Sequence, residues 1–213
     1  MARVAVGLSG GVDSTLTALL LKEQGHEVVG LSMSFYNKDI KGLKEAVNSC
    51  YGPVEKEDYK QVQAWAKQEG IETVILECSE EYKQIVLKYF KEAYLKGITP
   101  NPCIKCNAEM KFGLLLEKAK KQGIEFDFFA TGHYANITKK EGRYVLSRGV
   151  DEKKDQSYFL YRLSQEQLSK TLFPLGTLTK EEVRQMALER GLAVAEKKDS
   201  QDFYSGDYTD LLE

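Results

Sequence analysis

Short apolar runs and segments with helical spacing alternate along the chain. Residues 3–8 (RVAVGL) form a β-branched run that ends in a Gly/Ser cluster, and residues 28–33 form a second such run. Both runs are predicted to be buried strands. From Asp13 onward leucines recur at i, i+3 and i+4 until Gly25, and this spacing predicts a helix closed by a glycine. The opening stretch therefore predicts a strand–helix–strand unit.

The same alternation continues along the chain. The predicted elements are strands at 73–76 and 126–130, a β-hairpin at 135–147, and helices at 58–69, 79–96, 111–122, 155–163, 164–170 and 179–190. Two prolines predict a rigid, non-helical turn at residues 99–103, and residues 37–56 predict a long loop. We expect an α/β fold, with a Rossmann-like parallel sheet, helices on both faces, a β-hairpin and a small C-terminal helical region. Ligands of such folds bind at the carboxyl ends of the strands.

The composition is that of an ordinary globular protein. The 213 residues include 30 Lys+Arg and 32 Asp+Glu, which gives a net charge of −2, and 42% of the residues are hydrophobic. These values exclude a disordered or fibrous chain. No apolar run approaches the roughly 20 residues that cross a bilayer, and no secretory signal precedes the first strand. We therefore expect a cytoplasmic protein with no membrane partner, whose four cysteines are reduced thiols.

Nucleic-acid binding by a slightly acidic chain requires a local basic face. Basic residues concentrate in the middle of the chain, at Lys105, Lys111, Lys118, Lys120, Lys121, Lys139, Lys140, Arg143, Arg148, Lys153 and Lys154. Scattered lysines ordinarily form a solvated surface, but this clustering favours a track for a phosphate backbone.

The clearest chemical signal is the loop SGGVDS at residues 9–14, between the first strand and the first helix. Its two glycines allow a tight turn that brings backbone N–H groups close to a ligand, and the helix that starts at Asp13 adds its positive N-terminal end. With the hydroxyls of Ser9 and Ser14 these groups form a predicted phosphate nest. The loop lacks the Gly-Lys-Ser/Thr of a Walker A motif, so no lysine is expected to reach the β and γ phosphates. A plain strand–helix turn capped by Asp13 is the alternative.

This loop resembles the pyrophosphate-binding loop of the PP-loop ATP pyrophosphatases, which split ATP between its α and β phosphates to form adenylates. Further motifs are TPNP at 99–102, CN at 106–107, KF at 111–112, ATGHY at 130–134, RGVD at 148–151, KDQ at 154–156, FPLG at 173–176 and KDS at 198–200. In this order they resemble the tRNA-specific 2-thiouridylases (MnmA-like). The resemblance implies a PP-loop catalytic domain at 1–150 and a helical tRNA-contacting extension at 151–213, cut short before further C-terminal domains.

The resemblance also implies site residues and cofactors. ATP would be held by Gly7, Leu8, Ser9, Gly10, Gly11, Val12, Asp13 and Ser14, by Met33 at the adenine, and by Gly132, which lets the nucleotide approach the backbone. The target base would lie against Asn101, Pro102 and Cys103, and tRNA would contact Lys154, Asp155 and Gln156. The catalytic set would be Cys106, which matches the family's catalytic cysteine, with Cys103 and with Asp13, which would help to place Mg²⁺.

An enzyme of this family binds a uridine flipped out of the anticodon stack, and the uridine O2 attacks the α-phosphate of ATP. Pyrophosphate stays in the nest while a sulfur nucleophile displaces AMP. The implied partners are therefore the anticodon uridine of a tRNA and a sulfur donor, either a protein persulfide or sulfide.

Two positions depart from the family pattern. Cys103 stands where the family usually has an aspartate, and Tyr204 stands where many members carry a second cysteine, after the Lys-Asp-Ser motif. A tyrosine cannot carry a persulfide or close the disulfide that would release sulfide. These departures put the usual two-cysteine mechanism in doubt.

The cysteines suggest a replacement for that mechanism. The spacing Cys103-x-x-Cys106 suits a thiophilic metal, and Cys50 in the long loop is a third candidate ligand. Three thiolates fit a [4Fe–4S] cluster with one iron open to an external sulfide. Four thiolates including Cys78 would fit zinc, but Cys78 ends a predicted strand and is expected in the core. The plain alternative is one catalytic thiol with an accidental neighbour.

Two other functions remain as alternatives. One is an adenylating PP-loop sulfurtransferase that acts on a different acceptor. The other is a nucleotide- and tRNA-binding module that has lost turnover, which the tyrosine at position 204 motivates.

Overall fold

A five-stranded parallel sheet forms the centre of the protein. The computed structural model describes residues 1–35, 55–199, 203–204 and 207–212. Its strands are β1 (Arg3–Gly7), β2 (Glu27–Ser34), β3 (Glu72–Glu77), β4 (Phe128–Ala130), β5 (Ala135–Lys140), β6 (Arg143–Arg148) and β7 (Thr171–Leu172). The sheet order is β3-β2-β1-β4-β7 with every neighbouring pair parallel, while β5 and β6 form a separate antiparallel hairpin. The expected α/β fold and the expected hairpin are both confirmed.

Helices connect the strands and cover both faces of the sheet. They are α1 (Val12–Glu23), α2 (Glu55–Gln68), α3 (Ser79–Tyr82), α4 (Lys88–Leu95), α5 (Pro102–Lys105), α6 (Leu115–Lys121), α7 (Gln165–Ser169) and α8 (Lys180–Glu189), with π-helical segments at Lys83–Leu87 and Cys106–Leu114 and 3-10 segments at Ser157–Leu160 and Tyr208–Leu211. Successive side chains of a strand point to opposite faces. Accordingly, Ala5 belongs to one core cluster, Val4 and Val6 belong to another, and all three are fully buried.

The expected rigid turn at residues 99–103 is wrong in its second half. Pro102 begins α5, and helical structure then runs without a break to Lys121, so the helix predicted at 111–122 starts earlier. Proline is tolerated at the first position of a helix because the N–H it lacks has no partner there. Asn101 caps this helix by accepting a hydrogen bond from the Ile104 N–H at 3.3 Å. The two cysteines that follow the proline therefore lie on a helix and not in a turn.

The chain after residue 150 contributes to the sheet and to the packing of α1. The two-residue strand β7 pairs with β4, with Phe129 opposite Thr171. The predicted helix at 155–163 is only the short 3-10 segment Ser157–Leu160. Helix α8 packs on α1 through Leu16 and Val183, which are both fully buried in one apolar cluster. This packing brings the first turn of α8 to the loop after β1.

Two segments lie next to residues outside the described ranges. The long loop predicted at 37–56 lies outside the described residues, except that α2 already begins at Glu55. Asp207 caps the 3-10 segment Tyr208–Leu211, and its carboxylate accepts a hydrogen bond from the Thr209 N–H at 3.0 Å. Within the described ranges we find no helix with the length and apolar character needed to cross a membrane.

Candidate active site

The loop between β1 and α1 has the backbone shape of an anion nest. Gly10 has a φ of +78°, in the left-handed region, and Gly11 is extended at the N-cap of α1, where no side chain caps the helix. The Ser14 hydroxyl shapes the turn, since it accepts a hydrogen bond from the Ser9 N–H at 3.2 Å and donates one to the Gly11 carbonyl at 3.1 Å. The first N–H groups of this 12-residue helix are therefore available to an anion.

The side chains of two predicted loop residues serve the core. Leu8 and Val12 are each 2% exposed, so only their backbone groups can face a ligand. The Leu8 carbonyl accepts a hydrogen bond from the Ser32 hydroxyl at 2.7 Å, and its N–H donates to the Leu31 carbonyl at 2.8 Å. These bonds fix the start of the loop to β2.

A buried lysine reaches the loop from α8. The Lys180 side chain is 10% exposed, and its Nζ lies 2.8 Å and 2.7 Å from the two carboxylate oxygens of Asp13. The loop sequence predicts no lysine at this position, and Lys180 could not be predicted there because 167 residues separate it from Asp13. The only available signal was the capping box at Thr179, which marks the start of α8 but not what that start faces.

Asp13 has a second partner in Tyr134. The Tyr134 hydroxyl donates to Asp13 Oδ1 at 2.7 Å. Burial raises the pKa of Tyr134 far above its usual range, and the neighbouring negative charge of Asp13 adds to the effect. The phenol therefore stays protonated at neutral pH and acts here as a hydrogen-bond donor.

Asp199 contacts the same lysine as Asp13 and two further basic side chains. Its carboxylate oxygens lie 2.8 Å from Lys180 Nζ and 2.8 Å from Lys154 Nζ, and Arg184 lies 3.5 Å away. Burial raises the pKa of Asp199, but hydrogen bonds from Lys154 and Lys180 outweigh burial, and the net pKa is lowered. Asp199 is therefore ionised at neutral pH and links Lys154 to the nucleotide loop.

A second lysine from the C-terminal part of the chain contacts the loop. Lys197 Nζ donates to the Gly10 carbonyl at 3.1 Å and lies 2.6 Å from Asp58 on α2. Lys180 and Lys197 together supply the positive charge that the loop's own sequence lacks.

The end of β4 packs directly on the first turn of α1. A Cβ added to Gly132 would lie 2.7 Å from the Asp13 carbonyl carbon and 2.9 Å from the Ser14 nitrogen. Because Gly132 has no side chain, the nucleotide loop can pack against the end of β4, and a ligand could also approach the backbone there.

Met33 lies near the carboxyl end of β2, beside β1 in the sheet, and its carbonyl accepts a hydrogen bond from Tyr59.

His133 follows Gly132 and is buried. Its Nδ1 lies 2.7 Å from the Thr131 hydroxyl, and its ring packs beside those of Phe112 and Phe173 at centroid distances of 6.1 Å and 6.0 Å. Burial lowers the pKa of His133 well below its usual value, and the charge of Lys111 lowers it further. The neutral ring fits a structural role between the β4 end and the cysteine-bearing helix.

Cys103 and Cys106 lie one helical turn apart. Cys103 is exposed on α5, and Cys106 is half-buried at the start of the π-helical segment, so both lie on one side of the helix. Cys78 is fully buried in the core, as expected. Cys50 lies outside the described residues. Tyr204 is 2% exposed and belongs to the apolar cluster on which Cys106 packs.

The described residues supply two thiols for the expected metal site. In the ranges that the structure covers, no three or more His, Cys, Asp or Glu side chains are grouped so that they could hold a metal ion. A [4Fe–4S] cluster held by three cysteines is therefore not matched by these residues, and we derive no step through it.

The segment predicted to contact tRNA is held by hydrogen bonds within the protein. Asp155 accepts from the Gly149 N–H at 3.0 Å and from the Ser157 hydroxyl at 2.9 Å, and Gln156 accepts from the Tyr134 N–H at 3.0 Å. Lys154 keeps its side chain 40% exposed. We infer that Asp155 and Gln156 shape this turn, while Lys154 is the group of the three that can reach a phosphate.

The 3-10 segment Ser157–Leu160, which follows this turn, contacts the cysteine-bearing helix. Asn107, buried on the π-helical segment, donates to the Phe159 carbonyl at 3.3 Å. The next turn of the same segment carries Phe112, which packs beside His133. The nucleotide loop, the cysteines and the 154–156 turn are thus joined through consecutive contacts at the carboxyl end of β4.

A parallel α/β sheet whose first β–α turn has the shape of an anion nest is typical of nucleotide-binding domains, and the sequence SGGVDS of this turn places the protein in the PP-loop class. Within this class the family is defined by sequence. Residues 2–204 match the family model described as the tRNA methyl transferase HUP domain, and the chain belongs to that family.

Curated relatives carry one name. The chain is 51% identical to a tRNA-specific 2-thiouridylase MnmA of Endomicrobium trichonymphae, over 99% of this chain and 59% of that protein. It is 46% identical to a protein of the same name from Geobacter metallireducens, over 99% of this chain and 58% of that one. The resemblance inferred from the motifs is confirmed, and the chain spans less than two thirds of the length of these relatives.

Two solved structures share the fold. A 4-thiouridine synthetase–RNA complex with bound ATP aligns with a TM-score of 0.59 at 11% identity, over 100% of this chain and 46% of that one. The U34-tRNA thiolase NcsA from Methanococcus maripaludis, solved with its [4Fe–4S] cluster, aligns with a TM-score of 0.54 at 20% identity, over 90% and 58%. At these identities the likeness concerns the fold alone.

Proposed function

We propose that this chain is the catalytic part of an ATP-dependent enzyme that thiolates a tRNA uridine at C2. The observation that carries the proposal is the anion nest of residues 9–14, joined through Gly132 and His133 to the helix that bears Cys103 and Cys106. The names of the curated relatives, tRNA-specific 2-thiouridylase, support the same activity.

In the proposed first step the uridine O2 attacks the α-phosphorus of ATP, and the bond to the β-phosphate oxygen breaks. Pyrophosphate leaves with the electron pair of that bond, and the N–H groups of the nest stabilise its charge. The product is a uridine activated as an O2-adenylate.

Magnesium fits the oxygen donors of this site. The Asp13 and Asp199 carboxylates lie on either side of Lys180, and Mg²⁺ is held in proteins by one or two carboxylates together with substrate phosphates. Bound there, the ion would neutralise phosphate charge as the pyrophosphate departs.

In the second step a sulfur nucleophile attacks C2 of the activated uridine, and AMP leaves with the O2 oxygen. We assign the sulfur-bearing position to Cys106, with Cys103 as its neighbour one turn away. The target base would lie against the Asn101–Cys103 turn, and Lys154 would bind the RNA backbone. Sulfur would come from a protein persulfide, whose outer sulfur is attacked by the Cys106 thiolate while the donor's thiolate leaves. After this sulfur has bonded to C2, the Cys103 thiolate would attack Cys106 Sγ, release the thiolated uridine and form a Cys103–Cys106 disulfide that an external thiol reduces. Free sulfide, the other candidate donor, would attack C2 directly without being carried on Cys106, and a [4Fe–4S] cluster, if present, would be held by Cys50, Cys103 and Cys106.

The function is tested by incubating the protein with unmodified tRNA, Mg²⁺, ATP, a persulfide-bearing donor protein and a reducing thiol, and measuring 2-thiouridine by mass spectrometry. We expect thiolated uridine from the wild type and none from Cys106→Ala. Cys78→Ala, which removes a thiol from the core, serves as the control and should retain the product. RNA thiolation that survives Cys106→Ala would contradict the assignment of the sulfur-bearing residue.

Iron and sulfide analysis under anaerobic conditions tests whether the cysteines hold a [4Fe–4S] cluster. A cluster would give about four iron and four sulfide per chain, and Cys50→Ala, Cys103→Ala and Cys106→Ala would each lose it while Cys78→Ala kept it. Zinc in place of iron, or iron retained by Cys103→Ala, would refute the cluster.

Tyr204 in place of a second cysteine favours a second candidate, a nucleotide- and tRNA-binding module without turnover. Its buried ring offers no thiol at that position. A protein that binds ATP and tRNA yet forms neither AMP nor 2-thiouridine would support this candidate. AMP formed at the same rate with and without RNA would instead support an adenylating sulfurtransferase with a different acceptor.

A further inference from the structure

Four charged side chains form a continuous row between the predicted RNA contact and the nucleotide loop. Lys154 Nζ lies 2.8 Å from Asp199, Asp199 lies 2.8 Å from Lys180, and Lys180 lies 2.7 Å from Asp13. We call these residues the charge row. Their signs alternate along the row, so Lys180 is shared between two carboxylates, and Asp199 between Lys154 and Lys180 with Arg184 as a further cation 3.5 Å away.

The middle of the row is shielded from water. The Lys180 side chain is 10% exposed and that of Asp199 is 22% exposed, whereas the Lys154 side chain at the outer end is 40% exposed. Charge interactions are stronger between buried groups because solvent screens them less. A change in the partner of Lys154 is therefore transmitted to Asp199 and Lys180 more strongly than it would be on the surface.

Lys180 is shared between two carboxylates. Its Nζ bonds both oxygens of Asp13 and one oxygen of Asp199. If Asp199 loses the cation of Lys154, it attracts Lys180 more strongly. Lys180 then holds Asp13 less tightly, and the Asp13 carboxylate becomes available to the magnesium–ATP complex.

We propose that Lys180 and Asp199 are positioning residues that couple RNA binding at Lys154 to magnesium–ATP binding at Asp13. This inference rests on the proposed function, because that function supplies the two ligands. An RNA phosphate that binds Lys154 weakens its hold on Asp199 and thereby releases Asp13. By linkage, magnesium–ATP at Asp13 releases Lys180 to Asp199 and strengthens RNA binding by the same factor.

The coupling can be measured without RNA. Lys154→Gln removes from Asp199 the same cation that an RNA phosphate would withdraw, so this variant should bind magnesium–ATP more tightly. We expect a gain of about fivefold in affinity, at the lower end of ordinary coupling factors because Lys154 is partly solvated. The dissociation constant is measured by calorimetry with the α,β-methylene analogue of ATP, which resists cleavage, in excess Mg²⁺.

A double-mutant cycle distinguishes an effect of Lys154 that passes through Asp199 from the long-range electrostatic effect of its charge. In an Asp199→Asn background the row is interrupted, so Lys154→Gln should have no effect on nucleotide affinity there. Lys153→Gln is the matched control, because it removes the same charge from the adjacent, exposed position and should leave the affinity unchanged. Adding tRNA should tighten analogue binding to the wild type but not to Asp199→Asn.

Three results would overturn the inference. They are an unchanged or weakened affinity in Lys154→Gln, the same gain in the Asp199→Asn background, and an equal gain in Lys153→Gln. Wild-type protein that thiolates tRNA but gives any of these results keeps the proposed function and loses the coupling. Wild-type protein that binds no ATP analogue contradicts the proposed function itself, and the inference falls with it.

Discussion

Replacing Gly132 with alanine should damage the nucleotide loop more than the fold. The added Cβ would lie 2.7 Å from the Asp13 carbonyl carbon, 2.8 Å from the Asp13 Cβ and 2.9 Å from the Ser14 nitrogen. Two of these three neighbours are backbone atoms, so no side-chain rotation relieves the contact. The first turn of α1 must move away from β4.

The size of that movement follows from the contact. Ordinary van der Waals contact of a Cβ begins near 3.4 Å, whereas the added Cβ would lie 2.7 Å from the Asp13 carbonyl carbon. The Asp13 backbone must therefore move by about 0.7 Å. Overpacking of this kind costs about 1–3 kcal/mol of stability. A displacement approaching 1 Å at reacting groups costs up to about 100-fold in rate, and we expect AMP formation to fall by about 10- to 100-fold.

The assay combines denaturant unfolding with measurements of ATP-analogue affinity and of the rate of AMP formation. Gly113→Ala is the control, because its added Cβ would lie 3.4 Å from the Ala108 carbonyl oxygen and alanine favours a helix by about 1 kcal/mol. Gly132→Ala with unchanged affinity, rate and stability would refute the claim that β4 sets the position of the loop.

Three further predictions concern buried polar groups. The free energy of unfolding should decrease as the pH falls from 7 to 5.5, by at most about 1.4 kcal/mol per pH unit, because His133 is kept neutral by burial while the unfolded chain takes up its proton below the usual pKa of about 6.5. His133→Gln should remove this slope, whereas His26→Gln should retain it. Tyr134→Phe should lower the free energy of unfolding by about 1.5–3 kcal/mol, because Asp13 loses a donor at 2.7 Å. Gln167→Ala should lower it by about 1–3 kcal/mol, because two carbonyls of the π-helical segment lose the amide that donates to them. Denaturant unfolding measures all three.

Each of these predictions has its own contradicting result. A slope between pH 7 and 5.5 that persists in His133→Gln would show that another group takes up the proton. Unchanged stability in Tyr134→Phe would mean that Lys180 alone satisfies Asp13. In Gln167→Ala, an unchanged free energy of unfolding would mean that the π-helical segment needs no support from α7.

Features encoded in short stretches could be predicted from the sequence. The parallel sheet follows from apolar runs that alternate with helical spacing, and the nest follows from two glycines and two serines within residues 9–14. The burial of Cys78 follows from its place at the end of a strand. Such features depend on neighbours in the chain, and the sequence displays those neighbours directly.

Features that depend on distant contacts could not be predicted. The Lys180–Asp13 contact joins residues 167 positions apart, and nothing in either segment indicates the other. Strand β7 has two residues, too few for a recognisable period. Pro102 was interpreted as a helix breaker, yet its meaning depends on position, and at the first turn it starts α5.

In the proposed reaction, the nest of residues 9–14 holds the pyrophosphate that leaves when ATP is cleaved to activate RNA. This role is tested most directly by incubating the protein with a persulfide donor and ATP labelled at the α-phosphate, with and without unmodified tRNA, and separating the labelled products. We predict labelled AMP only when tRNA is present, and none from Asp13→Ala whose circular dichroism matches that of the wild type. Labelled ADP, or AMP formation that ignores tRNA or survives Asp13→Ala, would contradict the account.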